Sequence, residues 1–174
     1  PTDERLELWS LVEAARRGPT ADLLQQNSGQ AIMANARRFA PDADIAGALI
    51  STMDLEPGVE VIIGGLNDPT FGPVVMFGLG GIFVETLKDV AFRVCPLDET
   101  DAEEMVREIK GFPVLAGARR TPPVDLGAIK RALLSVSRLL IAHREIQEVD
   151  LNPVKAHVKG LQALDARVIA SGGA

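Results

Sequence analysis

The chain changes its hydrophobic rhythm twice. Leu6, Leu8, Trp9, Leu11, Val12 and Ala15 cluster at helical spacing, which predicts an amphipathic helix. Gly18-Pro19 stops it, because proline cannot continue the hydrogen-bond ladder. Thr20 is placed to cap a short second helix through Leu24. Ser28 is placed to cap a third, with Ala31, Ile32 and Ala34 to Phe39 following and Pro41 ending it. The pattern then shifts to short apolar runs rich in β-branched residues, at 45–50, 59–63, 74–77, 82–84 and 90–94. Gly, Pro, Asn and Asp separate them, which reads as strands and turns. Asn67-Asp68-Pro69 and Phe71-Gly72-Pro73 are turn signals.

Helical periodicity returns near residue 100. Thr100 and Glu103 match a capping box, and Met105, Val106 and Ile109 form one apolar face. Asp125 is placed to cap a longer helix, with Ile129, Ala132, Leu133, Val136, Leu139 and Leu140 on one stripe. Strands at 146–151, 154–158 and 161–169 close the chain, and Lys159-Gly160 reads as a two-residue hairpin turn. Helices and strands are segregated and the hairpins are antiparallel. The expected fold class is therefore α+β, a mostly antiparallel sheet with helices packed on one face. Residues 1–40 are expected to be a helical segment and residues 41–174 the sheet-bearing lobe.

Composition narrows the function. A length of 174 residues allows one domain or two small lobes, and 47% hydrophobic with 24% charged residues is a globular balance. A net charge of −6 argues against nucleic-acid binding, which needs a surplus of Lys and Arg. Six Phe, one Trp and no Tyr leave no base-stacking platform. The single Cys95 excludes a disulfide framework and any multi-thiolate metal site, and it reads as a small buried hydrophobe. His143 and His157 are too few for most His-rich sites and have no obvious partners in the sequence. No membrane association is expected: the N-terminus lacks a signal-peptide core, and the longest uncharged run, 69–84, falls short of the roughly 20 residues a spanning helix needs. A reducing, cytoplasmic compartment is the default.

Three stretches can carry chemistry. Gly78, Gly80 and Gly81 leave backbone N–H groups bare between two strands, either to cradle an anion such as phosphate or to make a tight glycine-rich turn. No Gly-Lys-Ser/Thr follows, so this is not a Walker loop. Glu60 is a lone carboxylate beside an apolar strand, a ligand acceptor or a strand-end carboxylate in water. Asp150 and Asn152 are two apart on a strand and project to one face. With a two-residue turn Asn152 lies opposite Arg167. Asp165 is then its diagonal neighbour, roughly 7–8 Å away, close enough for one cation to bridge. Oxygen-only ligands of this kind suit Mg²⁺, which also takes phosphate oxygens. The bland alternative is a solvated polar face. Any even-length turn keeps the face, and an odd one breaks it. Arg93 and Arg167 can meet phosphate oxygens or serve as surface ion-pair partners.

Taken together, these residues resemble the ATP-grasp domain of the ADP-forming acyl-CoA synthetases, a domain also fused to some bacterial protein acetyltransferases. The matching stretches are Gly58-Val-Glu-Val-Ile-Ile-Gly64, Asp68-Pro69, Phe71 to Glu85, Lys88-Asp-Val-Ala-Phe-Arg93, Pro96-Leu97, Pro122 to Asp125, Glu148-Val-Asp-Leu-Asn-Pro153 and Asp165-Ala-Arg167. They run in order from about Ala31 to Ile169. The resemblance implies ATP bound between two α+β lobes, of which this chain carries the C-terminal one. It implies Mg²⁺ held by Asp150, Asn152 and Asp165, and the Gly78–Gly81 loop near the phosphates. It places Ile50 to Met53 as the hinge strand that meets adenine, with Glu60 just beyond. The implied reaction turns acid, CoA and ATP into acyl-CoA, ADP and phosphate, through a phosphohistidine on a partner CoA-binding or CoA-ligase domain.

The chain also departs from the family. Residues 1–30 contain no histidine, no lysine and no glycine loop of the kind that closes over the nucleotide, so the first lobe is expected to be mostly absent. The hinge reads Ser51-Thr52 where an acidic or amide residue is common. Three expectations follow: part of an acid–CoA ligase, active once assembled with its lobe and partner domains; a degenerate module with a regulatory, binding or dimerisation role; or a longer molecule of which this chain is a part. The acyl substrate is not readable. The apolar helix around Trp9 offers a surface for a homo-oligomer.

Overall fold

The computed structural model describes residues 21–47, 54–81, 89–117 and 122–171, without the side chains of 21–28. The expected helix at 6–15, the strand at 82–84 and the hinge residues Ile50 and Met53 lie outside these. Residues 45–47 carry no regular structure. The chain divides into two compact units, residues 1–53 and 54–174.

In the first unit, α1 (Ala21–Phe39) is one continuous helix where two short ones were expected. Asn27-Ser28-Gly29 reads as a break, but a mid-helix glycine costs only about 1 kcal/mol and the turns on either side tolerate it. The helix ends ahead of Pro41, and Arg37 and Arg38 sit in its last turn, where cations suit the helix dipole.

Among the described residues, the second unit carries a six-stranded sheet in which every pairing is antiparallel. Its strands are β1 (Val59–Asp68), β2 (Gly72–Leu79), β3 (Val90–Val94), β4 (Ile146–Ala156), β5 (Leu161–Ala163) and β6 (Arg167–Ala170). The order is β3-β2-β1-β4-β5, with β6 also pairing β4. Three helices follow the third strand: α2 (Glu99–Glu108), the single turn α3 (Phe112–Leu115) and α4 (Leu126–Ala142).

Alternation decides which face the helices cover. Val61 and Ile63 of β1, Val75, Phe77 and Leu79 of β2, Ala91 of β3 and Val149 and Val154 of β4 are buried in one cluster. Met105, Val106 and Ile109 of α2 and Ile129, Leu133, Val136 and Leu140 of α4 complete it. These are the apolar stripes legible in the sequence. Each fully buried aliphatic side chain contributes about 1.5–3 kcal/mol. Asp125 caps α4 as expected, accepting from the Ala128 N–H at 2.8 Å. The cap of α2 is Asp98, not Thr100: Asp98 and Asp101 form the reciprocal pair. Glu103, expected in that box, instead binds Lys130 of α4 at 2.6 Å and Arg107 at 2.5 Å. Asp89, nearly buried, accepts from the backbone N–H groups of Lys110 and Gly111, both at 2.7 Å, and so ties the α2–α3 turn to the start of β3.

Two register features differ from expectation. The β4–β5 connection spans His157 to Gly160, four residues and not two, since Ala156 pairs Leu161. The terminal segment forms two short strands with Leu164 to Ala166 between them. Asp150, not Asn152, therefore faces Arg167. The shift is even, so the faces are preserved. The second feature is a bulge in the β1–β4 pairing: Val61 pairs Val154 but Ile63 pairs Leu151, so Asn152 and Pro153 together oppose Ile62. The Asn152–Pro153 peptide is cis, as is Cys95–Pro96.

Candidate functional site

The site residues lie mainly on the sheet face away from the helices. Across the strands this face reads in transverse rows. One row is Val94, Val74, Leu66, Glu148 and Ile169; the next is Phe92, Met76, Gly64, Asp150 and Arg167. Beyond them come Val90, Gly78 and Ile62 facing the bulge at Asn152, and then Glu60 beside Lys155.

The structure brings the candidates together in two groups. The first lies where β1 begins and β2 ends. The Gly80 N–H donates to the Glu60 carbonyl at 2.7 Å, and Gly81 adopts φ 65°, a conformation that suits glycine. A Cβ on Gly80 would sit 3.0 Å from Glu60 Cβ, and one on Gly78 would sit 2.8 Å from Val90 Cγ1. These glycines therefore permit close backbone approach. Gly58, Glu60, Gly80, Gly81 and Val114 line a cavity of about 300 Å³.

The second group is acidic. Asp150 is half-buried in the middle of the sheet, opposite Arg167, and Arg167 also pairs with Glu148. Burial pushes the Asp150 carboxyl up. Arg167 pulls it back, while Glu148 and Asp165 raise it further. Asp165 thus acts electrostatically on Asp150, and Asn152 stands two residues further along β4, in the bulge opposite Ile62. No set of three or more His, Cys, Asp or Glu side chains converges among the described residues. Two carboxylates, an amide oxygen and phosphate oxygens nevertheless fit a hard divalent cation, and the crowded negative charge around Asp150 is what such an ion would relieve.

Arg93 is not in either group. It pairs in register with Val75, so it lies on the helix face, where it binds Glu108 at 2.7 Å and Glu104 at 3.5 Å. Those two carboxylates raise its pKa, the Glu108 hydrogen bond most.

A third cluster had no signal in the sequence. Asp54 side-chain oxygen Oδ2 lies 2.9 Å from His157 Nε2 and 3.6 Å from Lys155 Nζ. Lys155 also donates to the Asp54 carbonyl at 3.2 Å. Residues 101 positions apart cannot be paired from spacing alone. His143, the other histidine, pairs with Glu145 at 3.0 Å.

The described residues of the second unit thus form an antiparallel sheet with helices on one face and the Asp150 group on the other. The sequence model of the ATP-grasp domain matches residues 23–170, so the chain belongs to that family. Among its relatives is the ADP-forming acetate–CoA ligase I subunit beta of Pyrococcus furiosus, 53% identical over 138 residues, or 79% of this chain. The chain spans 59% of that subunit's length. Acetyl-coenzyme A synthetase 1 of Ca. Korarchaeum cryptofilum, solved with coenzyme A and Ca-AMPCP, superposes with a TM-score of 0.77 at 50% identity, covering 83% of this chain and 62% of that one. The same enzyme with coenzyme A and Mg-AMPPCP, its phosphohistidine segment pointing towards the nucleotide site, gives a TM-score of 0.64 at 56% identity over 66% of this chain and 54% of that one. No described helix is long and apolar enough to cross a membrane.

Proposed function

We propose that the chain is the nucleotide-side lobe of an ADP-forming acyl-CoA synthetase. The proposed reaction converts acid, CoA and ATP into acyl-CoA, ADP and phosphate, with a phosphohistidine on a partner CoA-ligase domain carrying the phosphoryl group. The observation that carries this is the carboxylate cluster at Asp150, set on the sheet face that also presents the glycine turn. The Korarchaeum relative, solved with a nucleotide analogue and a divalent cation, supports it.

In this reading Asp150, Asn152 and Asp165 hold Mg²⁺, which neutralises phosphate charge when bound. Arg167 opposes the burial-driven rise of the Asp150 carboxyl and, alongside its pair with Glu148, meets a phosphate oxygen. The glycine turn at Gly80 and Gly81 lies beside phosphate, with the Gly80 N–H spent on the Glu60 carbonyl; Gly78 lets β3 approach, and Glu60 accepts from a ligand hydroxyl. Ile50 and Met53, which lie outside the described residues, are given the adenine contact on the family resemblance alone. These groups act by positioning and charge neutralisation, which is most of what phosphoryl transfer requires. Arg93, occupied on the other face, is given no role in the site.

Isothermal titration of MgATP into the chain tests the reading, with Asn152→Ala and Asp165→Ala alongside. Weakened binding in both variants is expected. Absence of binding by the parent, or unchanged binding in both variants, would sink the metal site. Turnover is assayed with a CoA-ligase partner added.

A further inference from the structure

Arg167 has two carboxylates within reach, and the structure shows which one it takes. On the sheet face away from the helices, Asp150 stands directly opposite it across the β4–β6 pairing. Glu148, opposite Ile169, is its diagonal neighbour. Directly opposite side chains have Cβ atoms about 4.5–5.5 Å apart, against about 7–8 Å on the diagonal. Proximity alone would therefore seat the guanidinium on Asp150. Among the described residues, its ion pair and its side-chain hydrogen bond go instead to Glu148 Oε1. Burial raises the Asp150 carboxyl most, and Arg167 pulls it down only through its charge. Packing gives Glu148 no reason for its position. Its row across the sheet reads Val94, Val74, Leu66, Glu148 and Ile169, so it is the one charge in an apolar row. On the other flank of Asp150, β1 presents no side chain, only Gly64.

We propose that Glu148 is a positioning residue: it draws the Arg167 guanidinium off Asp150 and so leaves the Asp150 carboxylate open to a divalent cation. The inference rests on the cation site proposed above. A guanidinium seated on Asp150 would cover the oxygens that a cation needs and set one positive charge against another. Held on Glu148, the same guanidinium keeps further N–H groups for an anion beside the cation, because its fork carries five donors. The Arg167 and Glu148 side chains are 42% and 39% exposed, so their pair adds little to stability. Its consequence is the choice between two acids. Without Glu148, the carboxylate directly opposite is the one that remains on this face in register with Arg167.

The first test needs no metal. The Arg167 guanidinium ¹³Cζ and ¹⁵Nε resonances are followed in the nucleotide-free chain and assigned by their loss in Arg167→Met. Asp150→Asn should leave them nearly unmoved in the parent and shift them in the Glu148→Gln background, where the guanidinium has moved to Asp150. A shift in the parent as large as that in Glu148→Gln, or none in either, would overturn the proposal. The second test uses Mn²⁺ alone as the probe, read by water-proton relaxation. Glu148→Gln should weaken Mn²⁺ binding. Arg167→Met should then strengthen it about fivefold more in the Glu148→Gln background than in the parent, the size of one exposed ion pair made or broken. A simple change of net charge predicts equal gains in the two backgrounds, and equal gains would overturn the role of Glu148 alone. Mn²⁺ binding that ignores Asn152→Ala and Asp165→Ala would instead overturn the cation site, and the role of Glu148 with it.

Discussion

Gly65 lies in the stretch that most resembles a nucleotide-binding sheet, yet it faces α4. A Cβ at this position would sit 2.6 Å from Leu140 Cδ1, 3.0 Å from Val136 Cγ1 and 3.3 Å from the Val74 carbonyl oxygen. Carbon–carbon contacts are optimal near 3.5–4.0 Å, so Gly65→Ala forces a shift of roughly 1 Å. Leu140 is fully buried and Val136 nearly so, which leaves neither an easy escape. Overpacking of this kind costs about 1–3 kcal/mol, offset by about 0.5–1 kcal/mol from the reduced freedom of the unfolded chain. Leu140→Ala alone should cost about 2–5 kcal/mol through the cavity it opens. In the double variant the new methyl group occupies part of that cavity, so the combined loss should fall short of the sum by about 1 kcal/mol or more. Urea unfolding followed by far-ultraviolet circular dichroism measures all four corners of the cycle. Additivity within about 0.3–0.5 kcal/mol would refute the claim that Gly65 is a packing glycine.

Other expectations follow from single contacts. Asp89→Asn places an amide donor against one of two backbone N–H groups, and the loss of that charge-assisted bond should cost about 1.5–3 kcal/mol in the same assay. The Asp125 carboxyl is held below its ordinary range by the Ala128 and Gly160 N–H groups, with further help from Arg131 and against a rise from burial. Its stabilisation is therefore present above the unfolded carboxyl pKa and lost as pH falls through the lowered folded value. Asp125→Asn should accordingly lower the urea midpoint at neutral pH, and the difference should fade in acid; a gap that widens in acid contradicts this. Arg167→Met removes the charge that pulls the Asp150 carboxyl down, so Mg-dependent nucleotide affinity should decline at higher pH than in the parent. Calorimetric titration across pH checks the direction, and a shift towards acid would show that Arg167 does not act through Asp150.

The helix stripes around Ile129 and Met105 were legible because a helix buries every third or fourth residue whatever it packs against. The faces of Asp150 and Arg167 were legible too, because strand alternation has a period of two. Their partners were not. The turn at His157 to Gly160 is four residues long, and Asp125 accepts the Gly160 N–H there, a contact across 35 positions. That slid Arg167 from Asn152 to Asp150 without changing the face.

The sequence by itself determined the fold class, the helix-facing and opposite faces of the sheet, and the acidic and glycine-bearing segments, because these depend on local periodicity and composition. Only the tertiary structure decided what each glycine and each charge is for. Gly65 and Gly80 lie in similar apolar surroundings in the sequence, but one meets a helix and the other the backbone of Glu60. Arg93 and Arg167 are both arginines on strands, but one faces the carboxylates of α2 and the other faces Asp150. Asp54 and His157 carried no shared pattern until folding placed them 2.9 Å apart. Pair energies depend on distance and burial, and those are properties of the assembled sheet.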